Sequence, residues 1–137
     1  MNCGTIFYDT NFQFSDGTTL DKLAIVVANF GINYLVLKTT GQQHKKNLAQ
    51  GCQLNDKPPN YFLPKGICSF PKDTWVLLDE VIEVDSITLE TKLDDGIAMI
   101  KDAIPSDLMK SILLCALSSQ DIELYYLEFL ERAYDNL

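Results

Sequence analysis

Residues 22 to 40 constrain the fold more than any other stretch of this chain. KLAIVVAN (22–29) is an almost unbroken apolar run rich in β-branched side chains, and YLVLKTT (34–40) is a second one. A run this apolar and this short reads as a buried strand, and the NFGIN connection (29–33) between the two reads as a hairpin turn. TIFYD (5–9) has the same chemistry, and the polar turn in FQFSDGTTLD leads from it into the second strand. GQQHKKNLAQGCQLNDKPPN (41–60) has little periodicity and two consecutive prolines, which predicts a long mobile loop of the kind that often carries function. Strand chemistry resumes at YFLP (61–64), with GICSF (66–70) as a further short candidate, then TWVLLDE (74–80), VIEVD and SITLE. Short strands so closely spaced predict a sheet curled into a partly closed barrel.

Beyond residue 94 the period becomes helical, with Ile97, Ile100 and Ile104 three to four residues apart. Pro105 restarts the chain into SDLMKSILLCALSS, and Ser118 with Asp121 forms a capping box for a last helix. That helix carries Ile122, Tyr126, Phe129, Leu130, Ala133 and Leu137 on one stripe, with Glu123, Glu128, Glu131 and Asp135 largely away from it. The stripe can pack on the sheet, bury a homodimer seam or receive a partner helix, and its carboxylates could compete with an anion elsewhere on the surface.

A chain of 137 residues fits one domain, 1–137, able to bury a core without staples. Cys3, Cys52, Cys68 and Cys115 are scattered without a CxxC pair, so in a reducing compartment they read as free thiols. A zinc site needs more than the lone His44, and no metal or cofactor is expected. MNCGTIFYD is not a secretory leader and no stretch has the length of a membrane span, which makes a cytoplasmic protein with no membrane contact the expectation. The net charge of −8 argues against nucleic acid until it is divided. Residues 1–75 hold seven lysines against five acids, whereas residues 76–137 hold four bases against fourteen acids. The acidity belongs to the second half.

Three stretches, in this order, resemble the MazF/PemK family of toxin ribonucleases. GTIFYD with FQFSDGTTLDKLAIVV is similar to the family's opening strand, polar turn and strand with an Arg-Pro-Ala-Leu-Val type signature. YLVLKTTGQQ is similar to its strand ending in a Thr-Ser pair before a mobile loop. SFPKDTWVLLDEVIEVDSITLETKLDDG resembles its Lys-Asp-Ser before a strand, then an apolar hairpin and a Gly-containing lead-in to a helix. The likeness spans residues 4 to 104. It implies a mainly β fold with a C-terminal α part: a small SH3-like β-barrel over 1–92, shared with the gyrase poison CcdB, followed by two or three helices in 93–137. It also implies an endoribonuclease that cuts single-stranded RNA through 2′-hydroxyl attack on the adjacent phosphate, acts as a homodimer without a cofactor, and is neutralised by an antitoxin.

By position, the resemblance puts Lys22 where the family has its arginine, Leu23 where it has proline, and Thr39 with Thr40 where it has its hydroxyl. The chain's only arginine is Arg132. An ammonium can stabilise a phosphate as a point charge but cannot grip it in two places as a guanidinium does. His44 has the unperturbed pKa for proton transfer near neutrality, and with Lys38, Lys45 and Lys46 it forms the densest basic group in the sequence. Phe14, Ser15 and Asp16 form the lip of the implied substrate groove, and Phe12, Phe14, Tyr61 and Trp75 could stack bases where exposed, with Trp75 read as core. Each assignment has a plainer counterpart: Lys22 as an edge residue paired with Asp21, the threonines as ordinary strand residues, His44 as part of a solvated loop. Two other functions stay open, a catalytically silent protein-binding module and a gyrase-directed toxin. Against the latter, the chain ends Asp135-Asn136-Leu137 where that family has Trp-Gly-Ile.

Overall fold

The structure, a computed structural model, describes residues 1–49 and 51–137. Eight strands form one antiparallel sheet: β1 (Thr5–Gln13), β2 (Thr19–Phe30), β3 (Asn33–Thr40), β4 (Gly51–Gln53), β5 (Asn60–Leu63), β6 (Thr74–Leu77), β7 (Ile82–Asp85) and β8 (Ala98–Ala103). Helix α1 (Ser86–Asp94) separates β7 from β8, and α2 (Ser106–Ser118) and α3 (Leu124–Asp135) follow. The strand order is β4-β5-β6-β3-β2-β1-β8. Among the described residues its two ends do not pair, so the sheet is open. β3 bonds β2 along one edge and divides the other, Asn33 to Val36 pairing with β7 and Thr39 and Thr40 with β6.

The apolar run in β2 is explained by burial on both faces. Ile25 and Val27 of β2 join Leu35 and Leu37 of β3 in a core closed by Met109, Ile112, Leu113 and Ala116 of α2 and Leu130 of α3. Ala24 and Val26 join Tyr34 and Val36 on the other face, under Leu89 of α1 with Phe7 and Phe12 of β1. A strand covered on one side alternates; one covered on both does not. Burying each such large side chain contributes about 1.5–3 kcal/mol. The α3 stripe packs on the first face as its periodicity predicts, with Phe30 of β2 edge-on to Phe129 at 4.6 Å between centroids.

Several expected elements differ. SITLE lies in α1, not a strand, because Asp85 caps it by accepting the Thr88 amide at 2.8 Å and only Leu89 needs burial. The helix expected from residue 94 is strand β8. Gly96, at φ +75, turns the chain back along β1, and Ile97 and Ile100, which set the apparent helical period, are exposed. The sheet therefore extends beyond residue 92. GICSF holds a 3-10 turn at Ile67–Ser69. Ser118 does not cap α3: its hydroxyl donates to the Leu114 carbonyl at 3.1 Å, and Glu123 occupies the cap position without a side-chain bond.

The cysteines are also corrected. Cys52 of β4 and Cys115 of α2 form a disulfide across a sequence separation of 63, a pairing no local spacing could signal. Cys3 and Cys68 remain free thiols, and burial pushes the Cys3 pKa up to about 11. Disulfides persist in oxidising surroundings, and the bond is a feature of this chain that bears on compartment. Among the described residues no helix is long and apolar enough to cross a membrane.

Candidate anion-binding face

Strand register sorts the expected site residues onto two sides of the sheet. Lys38 pairs across from Ala24, so Lys22, two residues earlier on β2, and Thr40, two residues later on β3, share the α1 side with Ala24. Phe14 packs against the same core edge. The turn after β1 holds it there: the Phe14 amide donates to the Thr18 carbonyl at 2.9 Å, Gly17 sits at φ +88, and Asp16 Oδ1 accepts from the Thr18 amide at 3.0 Å and hydroxyl at 2.7 Å. The Thr18 hydroxyl, then its amide, keep the Asp16 carboxyl below the usual range. Asp16 thus builds the turn that carries Phe14.

Over the Phe14 ring stand two ammonium groups, Lys22 Nζ and Lys38 Nζ, each 6.0 Å from its centroid. A third, Lys46 Nζ, lies 5.9 Å from the centroid of Trp75, which pairs with Thr40. Lys38 donates to Glu80 Oε1 at 2.9 Å, with Asp79 at 3.9 Å, and Ser15 donates to the same Glu80 at 3.3 Å. Lys22 has no ion pair among the described residues. Burial first, then the Lys38 charge, lower its pKa; Asp21 opposes this and Lys46 adds to it. Six of the ten expected residues, Phe14, Ser15, Asp16, Lys22, Lys38 and Lys46, therefore belong to one face or to the turn and acids that brace it.

Thr39 does not join them. It points to the other side with Leu23, is 4% exposed, and donates its hydroxyl to the Leu23 carbonyl at 2.7 Å. It lines a small cleft at the edge of the sheet with Tyr8, Pro71 and Lys72, which Lys22 and Thr40 also border. Thr40 accepts the Gln42 amide at 3.2 Å. His44 and Lys45 are exposed, both at positive φ, and the His44 ring bonds Gln42 Oε1 at 2.6 Å. Of the aromatics, Phe12, Tyr61 and Trp75 are buried, as expected for Trp75, and Phe14 alone of the four is half-exposed.

The residues that the sequence did not single out are those that fix the loop. Asp56 accepts from the Asn47 amide at 3.0 Å and side chain at 2.8 Å, and from Asn60 Nδ2 at 3.0 Å. The Trp75 indole donates to the Asn47 carbonyl at 2.9 Å, so the loop bearing Lys46 is tied to the sheet instead of hanging free. Burial disfavours the Asp56 charge, but the Asn47 and Asn60 bonds outweigh it and set the pKa below the ordinary value. The stability this supplies is fully present above about pH 4 and lost as pH falls through the lower folded value. Emission from Trp75, the only tryptophan, should therefore change in acid while neutral protein stays constant, and Asp56→Ala should show the acid-like emission already at pH 7.

No group of three or more His, Cys, Asp or Glu side chains is placed to hold a metal among the described residues. No family model matches the chain, and no curated protein matches it.

Proposed function

We propose that the protein is a MazF/PemK-like module that binds single-stranded RNA on the Lys22–Lys38–Lys46 face, with its open sheet a variant of the SH3-like barrel. The observation that carries this reading is the pair of ammonium groups above one half-exposed ring, with a third over Trp75. Charge for the phosphates beside an aromatic platform for a base is how single strands are held without sequence readout. The reading keeps the family's surface without its reaction. The sheet has no arginine, and the Thr39 hydroxyl is committed to the Leu23 carbonyl. A homodimer and an antitoxin-type acidic partner belong to the same proposal. Such a partner would compete with RNA for the three lysines.

Anisotropy of a short labelled single-stranded RNA tests it. Lys22→Ala should weaken binding and reduce the slope of log affinity against log salt by about 1. Phe14→Ala should cost about 1–3 kcal/mol, the value of one stacked base. Binding indifferent to both substitutions would sink the proposal, and appearance of 2′,3′-cyclic phosphate ends that Lys22→Ala abolishes would restore the ribonuclease.

A further inference from the structure

Strand β7 presents an open edge. Ile82 to Asp85 pair with Asn33 to Val36 of β3, and among the described residues no strand pairs with the other side of β7. A cleft of about 520 Å³ runs there, lined by every residue from Val81 to Asp85. Consecutive strand residues point to opposite faces, so a cleft that meets all of them follows the edge of the strand and not one of its faces. Along an unpaired edge, alternate residues turn their N–H and C=O groups outward, the template on which an extended chain adds as a further strand. The facing wall is strand too: Phe12 and Gln13 of β1 pair with β2 beyond Asp9, where the pairing with β8 ends.

The two faces of β7 differ in chemistry. Ile82 and the half-buried Val84 lie on the α1 side with Phe12 and Phe14. Glu83 points to the other side, where it accepts from the Tyr126 hydroxyl at 2.7 Å and from Asn33 Nδ2 at 3.0 Å. Those donors are neutral, and so is the Thr88 amide that Asp85 caps. Glu123 borders the same cleft, and among the described residues none of Glu83, Asp85 and Glu123 forms an ion pair. Lys92, the cation at the cleft, is held by Asp9. Uncompensated negative charge therefore sits on one side of an open strand edge, and apolar surface on the other.

We propose that this edge receives an extended basic segment of a partner protein as an added strand, its lysine or arginine side chains on the Glu83 side alternating with apolar ones on the Val84 side. Cross-strand neighbours on one face lie about 4.5–5.5 Å apart, so the alternation of β7 dictates that of the segment. Backbone bonds hold it, and the carboxylates select its charge. This inference does not rest on RNA binding and survives the failure of that reading.

The test is the anisotropy of a labelled Lys-Val-Lys-Val-Lys-Val peptide titrated with the full chain. It should bind, and a Glu-Val-Glu-Val-Glu-Val peptide should not. Glu83→Gln combined with Glu123→Gln, which removes charge and keeps the acceptor for Tyr126, should weaken binding several-fold. Two further basic peptides carry N-methyl groups on alternate amides, each blocking one edge. An added strand donates from one edge only, so one of them should lose about ten-fold in affinity and the other should bind like the parent. Equal binding by both methylated peptides means attraction by charge alone and overturns the inference. So does indifference to the Glu83 and Glu123 substitutions, or no binding at millimolar peptide. A dimer in sedimentation that the basic peptide dissociates would give the edge to a second copy of this chain and overturn the basic partner.

Discussion

Asp9→Ala should lower the unfolding free energy by about 3–5 kcal/mol, the cost of leaving one partner of a buried ion pair alone. The Asp9 side chain is 3% exposed on β1 and accepts from Lys92 Nζ at 2.9 Å, while its other oxygen accepts the Asn11 amide at 2.8 Å. Lys92, near the end of α1, also donates to the Asn11 carbonyl at 2.9 Å. The pair therefore closes α1 onto β1 at the point where the register with β2 shifts, between Asp9 and Phe12. Lys92→Met should be as damaging, since it strands the carboxylate. The double replacement Asp9→Leu with Lys92→Met should recover most of the loss, because two apolar groups of similar size need no partner. Urea unfolding of all four proteins decides the matter; a Lys92→Met loss under about 1 kcal/mol would mean that the pair behaves like a surface contact.

That pair also marks where sequence reading succeeds and where it stops. The central strands were legible because burial on both faces leaves an unmistakable apolar run at 23–28 and 34–37. Residues 86–103 were misread because propensity is local and the deciding forces are not. Ile87, Thr88 and Thr91 are β-branched yet exposed on α1, which is held by the Asp85 cap and Leu89, while Ile97 and Ile100 mimic a helical stripe on an edge strand. At the site, alternation from the hairpin was not sufficient, because the register shift between Val26 and Ala28 is what brings Lys38 opposite Ala24 and so onto the side of Lys22. The Asp56 network and the Glu80 partner of Lys38 could not be read, since they join residues whose proximity exists only once the sheet is paired.

Reducing the Cys52–Cys115 bond should lower stability by about 4 kcal/mol, which is what releasing a loop of this length returns to the unfolded ensemble. The bond joins the short edge strand β4 to α2, whose Cys115 is 3% exposed, and so gives the segment after β3 a second attachment besides its Trp75 contact. Both attachments hold the segment that positions Lys46. The paired core of β1, β2 and β3 has no part in the bond, so the reduced protein should stay folded in dilute buffer and lose its midpoint advantage in urea. Cys52→Ser with Cys115→Ser should match the reduced protein within experimental scatter and become insensitive to dithiothreitol. If oxidised and reduced protein share one midpoint, the bridge adds no constraint, and the Asp56–Asn47–Asn60 bonds alone hold the loop in place. A real difference in midpoint together with a red-shifted Trp75 emission on reduction would instead show that the covalent clamp and the hydrogen-bonded one act on the same segment. The lysine face would then inherit a dependence on redox state through Lys46, while Lys22 and Lys38, fixed by the strands themselves, would keep their places.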